Sequence, residues 1–171
     1  SAPTRLRFSQ QPSAVIAGSG AILAAVGPAV ESHSGAGESK ERVVLSSTTL
    51  RCLAYHWSSK RIAACDQTGQ LFLQHDEQPD PDSIGLPVKN VDSLIWSDNG
   101  KHVAASDGNR LVIVSTESVR IESQCVLSVP AARLLGWIDD HLWFVDKQSQ
   151  LRRMQLPHIR WRVALGEGGS S

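Results

Sequence analysis

"SLIWSDNGKHVAASDGNRLVIV", residues 93–114, decides the fold. It holds three short apolar runs separated by two polar turns, one around Asp98-Asn99-Gly100 and one around Asp107-Gly108-Asn109. Runs this short, rich in Val, Ile and Leu and bounded by Asp, Asn and Gly, are strand-and-turn chemistry. Glycine supplies the positive φ that tight turns need. The runs are too brief for an amphipathic helix, and no long one is found anywhere in the chain.

The same pattern recurs. "LAYHWSSKRIAACDQTGQLFLQ" (residues 53–74) and "LLGWIDDHLWFVDKQSQLRRMQ" (residues 134–155) align with it, with Trp57, Trp96 and Trp137 in one slot, 39 and 41 residues apart. The leucines opening the third strands, Leu71, Leu111 and Leu151, follow those tryptophans by 14, 15 and 14 residues. Putting Phe8 in the tryptophan slot carries the offset of 14 to Ile22. "FSQQPSAVIAGSGAILAAV" (residues 8–26) then reads as strand, turn, strand, Gly18-Ser19-Gly20 turn, strand. Fourth strands are expected at residues 41–47, 83–88, 123–129 and 158–165. Residues 27–41, rich in Gly, Ser and charge, and the acidic residues 76–82 are expected as exposed loops.

Four-stranded units repeating about every 40 residues are the mark of a β-propeller. "LIWSDNGKHVAAS" (residues 94–106) resembles the first hairpin of a WD40 or TolB-like blade, and the other copies resemble it in degenerate form. The resemblance implies an all-β fold: a β-propeller segment of about four four-stranded blades, forming an incomplete ring. The units run approximately over residues 4–47, 50–88, 91–129 and 131–165, within a segment spanning 1–165 and followed by a flexible tail, 166–171. The third strands run into "LQHDE", "IVSTE" and "RMQLP", without the Trp-Asp pair common in WD40 repeats. The buried polar network of the best-formed WD40 blades is therefore not expected. One blade cannot bury both faces alone, so stacking must bury them, and Phe8, Trp57, Trp96 and Trp137 are read as structural repeat positions between blades.

The bulk numbers suit a globular domain. Of 171 residues, 41% are hydrophobic and 20% charged, with 17 basic and 17 acidic side chains. Zero formal charge gives no global attraction to nucleic acid or anionic membrane. The three cysteines, Cys52, Cys65 and Cys125, form no CxxC pair. Cys52 and Cys65 lie in apolar runs, as core thiols do, and a reducing compartment, cytoplasmic or nuclear, fits; one disulfide plus a free thiol is the alternative. The uncharged residues 8–30 hold only a short apolar stretch, Ala21–Val26, so no membrane span is expected. Arg5 and Arg7 ahead of it give only a faint likeness to a signal peptide.

Catalytic and cofactor signatures fail one by one. A dinucleotide-binding GxGxxG would need a third glycine where Leu23 stands, and no Gly-Lys-Ser/Thr loop is present. His33, His56, His75, His102, His141 and His158 show no metal-ligand spacing, and "QHDE" (residues 74–77) reads as a solvated loop edge. No GxSxG elbow occurs, and the adjacent Ser32, His33 and Ser34 cannot form a triad in sequence alone. No enzyme, cofactor or metal is therefore expected. "LRRMQLPHIRWRVA" (residues 151–164) concentrates Arg152, Arg153, Arg160, Trp161 and Arg162 without an acid. Alternating strand residues account for it first, a protein interface second, and nucleic acid last.

The expected function is a non-catalytic scaffold or protein-interaction module, a subunit or fragment of a multi-protein complex. The alternative is a TolB-like sensor or ligand-binding propeller of a bacterial extracytoplasmic or regulatory protein. The expected partner is whatever completes the propeller: another protein, the remainder of its own chain, or a second copy.

Overall fold

A computed structural model describes residues 6–34, 40–75 and 78–156. Its elements are all strands: β1 Ala14–Gly18, β2 Ala21–Val26, β3 Ala29–Ser34, β4 Lys40–Val44, β5 Leu50–His56, β6 Arg61–Asp66, β7 Gln70–Gln74, β8 Asp82–Gly85, β9 Ser93–Trp96, β10 His102–Ser106, β11 Arg110–Ser115, β12 Arg120–Val126, β13 Ala131–Ile138, β14 His141–Asp146 and β15 Leu151–Gln155. They form four antiparallel meanders, β1-β2-β3-β4, β5-β6-β7-β8, β9-β10-β11-β12 and β13-β14-β15, here called blades 1 to 4. The expected strand at 158–165 and the tail at 166–171 lie outside the described residues.

Each blade packs flat on the next, and side-chain alternation explains how. On β6, Ala63 and Cys65 face blade 3 while Ile62 and Ala64 face blade 1. On β10, Val103 and Ala105 face blade 2 while Ala104 faces blade 4. Successive strand residues point to opposite sides of a sheet, so a strand that is apolar at every position is buried on both sides. Three apolar clusters result, one per junction. Leu23, Leu45 and Leu53 close blades 1 and 2; Leu71, Val91 and Val112 close blades 2 and 3; Leu111, Leu134 and Phe144 close blades 3 and 4. The blades form an open arc, the incomplete ring expected from the repeat.

Blade 1 corrects the sequence-based register. Its innermost strand is β1, so the slot after Trp57 and Trp96 in the repeat is filled by Gly18 and not by Phe8, which lies ahead of β1 in no strand. The Ser19-Gly20 turn, with φ of +44° and +76°, joins β1 to β2 as a two-residue hairpin turn. Residues 27–41 are not one exposed loop. Gly27, at φ +57°, turns the chain into β3, whose Ala29, Val30, Glu31 and His33 are buried. The polar letters misled because they are covered by the preceding segment. Ser9 Oγ donates to Glu31 Oε1 at 2.5 Å, and the Phe8 ring meets His33 edge-on at 5.1 Å.

Candidate interaction surfaces

The repeat tryptophans stand at the junctions between blades. Trp57 lies against Gly18, where an added Cβ would come within 2.6 Å of its ring, and meets Tyr55 edge-on at 4.6 Å. Trp96 packs against two residues of blade 2: the Arg61 guanidinium sits 4.9 Å above its ring and His56 lies 5.6 Å away. Burial lowers the Arg61 pKa from its ordinary value. Arg61 also donates to the carbonyl of Gly100 in blade 3. Trp137 stacks on His102 of blade 3 at 5.8 Å.

These junctions differ in how the indole N–H is satisfied. Trp137 Nε1 donates to the carbonyl of Asp139 at 3.0 Å. The corresponding carbonyl in blade 3, that of Asp98, is 2.9 Å from His56 Nε2. A carbonyl only accepts, so His56 carries its proton on Nε2. Among the described residues the buried Trp96 Nε1 has no hydrogen-bond partner. An unmade bond of this kind is a cost that the apolar packing must offset.

A second repeated element is an aspartate ahead of the third strand in blades 2, 3 and 4: Asp66, Asp107 and Asp146. Asp66 Oδ1 accepts from the backbone N–H groups of Thr68 and Gln70 at 2.9 and 3.1 Å, fixing the turn. Its Oδ2 accepts from Ser46 Oγ and Thr48 Oγ1 at 2.9 and 2.8 Å, fastening the turn to the linker from blade 1. Burial pushes this carboxyl up, but the bonds from Thr68, Thr48, Gln70 and Ser46 outweigh it and hold the pKa down to about 2. Asp146 Oδ1 accepts from the N–H groups of Gln148 and Gln150, and Oδ2 from Arg152 Nε at 2.8 Å. So a buried polar network exists here, contrary to the expectation drawn from the missing Trp-Asp pairs. Its signal in the sequence is the alignment of the three aspartates, which recur with the same spacing logic as the tryptophans.

The arginine run divides. Arg152 is committed to Asp146, with its NH2 also donating to Gln150 at 2.6 Å. Arg153, on the other side of β15, lies 5.8 Å over the ring of Trp143. Arg160, Trp161 and Arg162 lie outside the described residues. The outward face of blade 4 thus carries Trp143 between its cross-strand neighbours Gly136 and Arg153, and Val145 between Arg133 and Leu151. Leu151 and Ile138 on this blade are 60% and 55% exposed.

The four innermost strands line a trough of about 840 Å³, whose charged residues include Arg51, Asp92, Asp98 and Arg133. Burial raises the Asp92 carboxyl above its ordinary value. A smaller hollow of about 380 Å³ between blades 3 and 4 is lined by Asp98, His102, Trp137 and Asp139. Among the described residues no group of three His, Cys, Asp or Glu is placed to hold a metal ion. No helix among them is long and apolar enough to cross a membrane.

Comparison with solved structures bears on the architecture. The chain superposes on the structure of U3-55K and on the crystal structure of RRP9 WD40 repeats, each with a TM-score of 0.74 at 10% identity, covering 88% of this chain and 50% of the other. The fold is that of a WD40 β-propeller. The crystal structure of the mitotic checkpoint complex matches with a TM-score of 0.71 at 9% identity, covering 85% of this chain and 48% of that one. The chain thus spans about half the length of the WD40 structures it matches. No family model and no curated protein matches it.

Proposed function

We propose that this WD40 segment is a non-catalytic scaffold whose role is to bind protein, completed into a propeller by further blades of its own chain or of a partner. The outward face of blade 4 carries the reading. The flat faces at the three junctions are closed by apolar side chains, whereas blade 4 leaves Ile138 and Leu151 more than half exposed. Apolar side chains set beside Trp143 and the arginines of the same face have the composition of a protein interface. Blade 1 also leaves Val15 and Val44 exposed, at 51% and 60%, although residues 8 and 9 lie over its Glu31 and His33; blade 4 differs in setting its apolar side chains beside Trp143 and two arginines. Matching solved WD40 structures, one of them of a multi-protein complex, supports an assembly role.

Light scattering as a function of concentration, with a thermal melt alongside, tests it. The expected result is a cooperative melt of a β-type circular dichroism spectrum and a mass that rises with concentration, reduced by Leu151→Glu. A well-folded monomer at every concentration would mean that the four blades need no complement, and the reading would fall.

A further inference from the structure

We propose that the outward face of blade 4 docks an acidic protein segment, its carboxylates held by Arg133 and Arg153 and its aliphatic side chains laid over Trp143. The proposal rests on the scaffold reading and names the chemistry of the partner.

The first observation is a break in the repeat. Counted from the start of the second strand, Ala63 of β6, Ala104 of β10 and Trp143 of β14 are equivalent; the two alanines face the next blade, and Trp143 faces outward from blade 4. At the inner junctions the alanine is fully buried and lets the following sheet approach closely. Face-to-face sheets stand about 10 Å apart, with interlocking side chains filling the gap. A tryptophan at that place holds a neighbour further away, so whatever completes the ring at blade 4 meets it at a wider spacing, with room for polar side chains that the junctions at blades 2 and 3 do not have.

The second observation is charge. Arg61, Arg110 and Arg152 each engage an oxygen of their surroundings: the Gly100 carbonyl, Asp107 and Asp146. Arg133 and Arg153 have no ion pair among the described residues, and both lie on the outward face, opposite Val145 and Trp143. Covering two guanidiniums with an apolar surface would strand buried charge, which is strongly unfavourable. A covering surface that brings carboxylates converts the same groups into paired, bidentate contacts. The apolar share of the face, Ile138 and Leu151, favours a polypeptide with aliphatic residues over a nucleic acid, whose bases would use only the indole.

The test follows the Trp143 indole N–H by NMR, assigned with Trp143→Phe, at a concentration where the chain is monomeric. Three probes are added separately: a heptapeptide of alternating leucine and glutamate, its leucine–lysine counterpart, and an oligothymidylate. The glutamate peptide is expected to shift the Trp143 signal, to weaken with added salt, and to lose affinity by roughly tenfold or more in Arg133→Gln/Arg153→Gln. The proposal is overturned if the lysine peptide binds equally well, if the double variant binds unchanged, or if the oligothymidylate binds in preference. It is also overturned if no probe moves Trp143 in a chain that melts cooperatively and self-associates. A chain that stays monomeric at every concentration overturns the scaffold reading instead.

Discussion

Gly18 lies beneath the indole of Trp57, where a Cβ would stand 2.6 Å from ring carbon Cζ2. This contact joins the end of β1 to blade 2 and sets how closely the first two blades approach. Gly18 is not at positive φ, so its requirement is space and not backbone conformation. Gly18→Ala is therefore expected to destabilise the chain by about 1–3 kcal/mol, the range for overpacking a tight interior. Ser19→Ala, one residue on and exposed, should cost far less. Urea unfolding of both variants separates the two; equal stability would show that Trp57 moves aside freely.

Asp66 gives the fold a defined acid sensitivity. Its folded pKa of about 2 lies below the ordinary carboxyl value of 3.8. A depressed folded pKa contributes stability that is complete above the unfolded value and is lost as pH falls through the folded one. The contribution, roughly 2 kcal/mol by proton linkage, should be full above about pH 5 and vanish toward pH 2. Denaturant midpoints measured across that window are expected to fall steeply in the wild type. In Asp66→Asn they should start lower and fall less, because the remaining carboxyls, Asp107 and Asp146 among them, titrate in both proteins.

The contrast between Asp66 and Phe8 shows where the sequence speaks and where it is silent. Three blades were legible because Trp57, Trp96 and Trp137 punctuate them at regular spacing and short apolar runs alternate with turns. Blade 1 was misregistered because β3 carries Glu31, Ser32 and His33, residue types that read as loop. Their burial depends on Phe8 and Ser9, a tertiary contact more than twenty residues away in sequence that no local pattern encodes. Asp66 has the opposite history: its position was visible three times over, but only the structure shows that Ser46 and Thr48 of the preceding linker bond to it. The arginines of the C-terminal run could not be sorted by composition. Strand alternation sends Arg152 to Asp146 and Arg153 to Trp143, and the difference depends on which face of β15 each occupies.

The alanine–tryptophan exchange between equivalent positions is directly measurable. Ala104 is fully buried where blade 3 meets blade 4. Ala104→Trp should lower stability by about 3 kcal/mol or more, since volume added to a closed junction forces the sheets apart. Trp143→Ala, at the equivalent place on an uncovered face, should change stability by about 1 kcal/mol or less. Thermal melts of the pair test whether the outward face of blade 4 is free of a neighbouring blade. A large loss on Trp143→Ala would place that ring inside a packed junction.

The thiols provide a readout of whether the blades separate. Cys52 and Cys65 are cross-strand partners on β5 and β6, both buried at the junction of blades 2 and 3, while Cys125 on β12 is exposed. The Cys52 thiol is pushed up, first by its hydrogen bond with Cys65 and then by burial, which withholds the reactive thiolate. Burial also raises Cys125, though less completely, because its edge strand leaves it open to solvent. Timed alkylation with N-ethylmaleimide followed by mass spectrometry should therefore show one adduct early, on Cys125. The next two should appear together and only at the rate at which blade 2 parts from blade 3. Leu73→Ala, which empties part of the same cluster, is expected to speed that second phase without altering the first. Early labelling of Cys52 or Cys65 would mean that this junction is open in solution, and the stacked-blade architecture would need revision there.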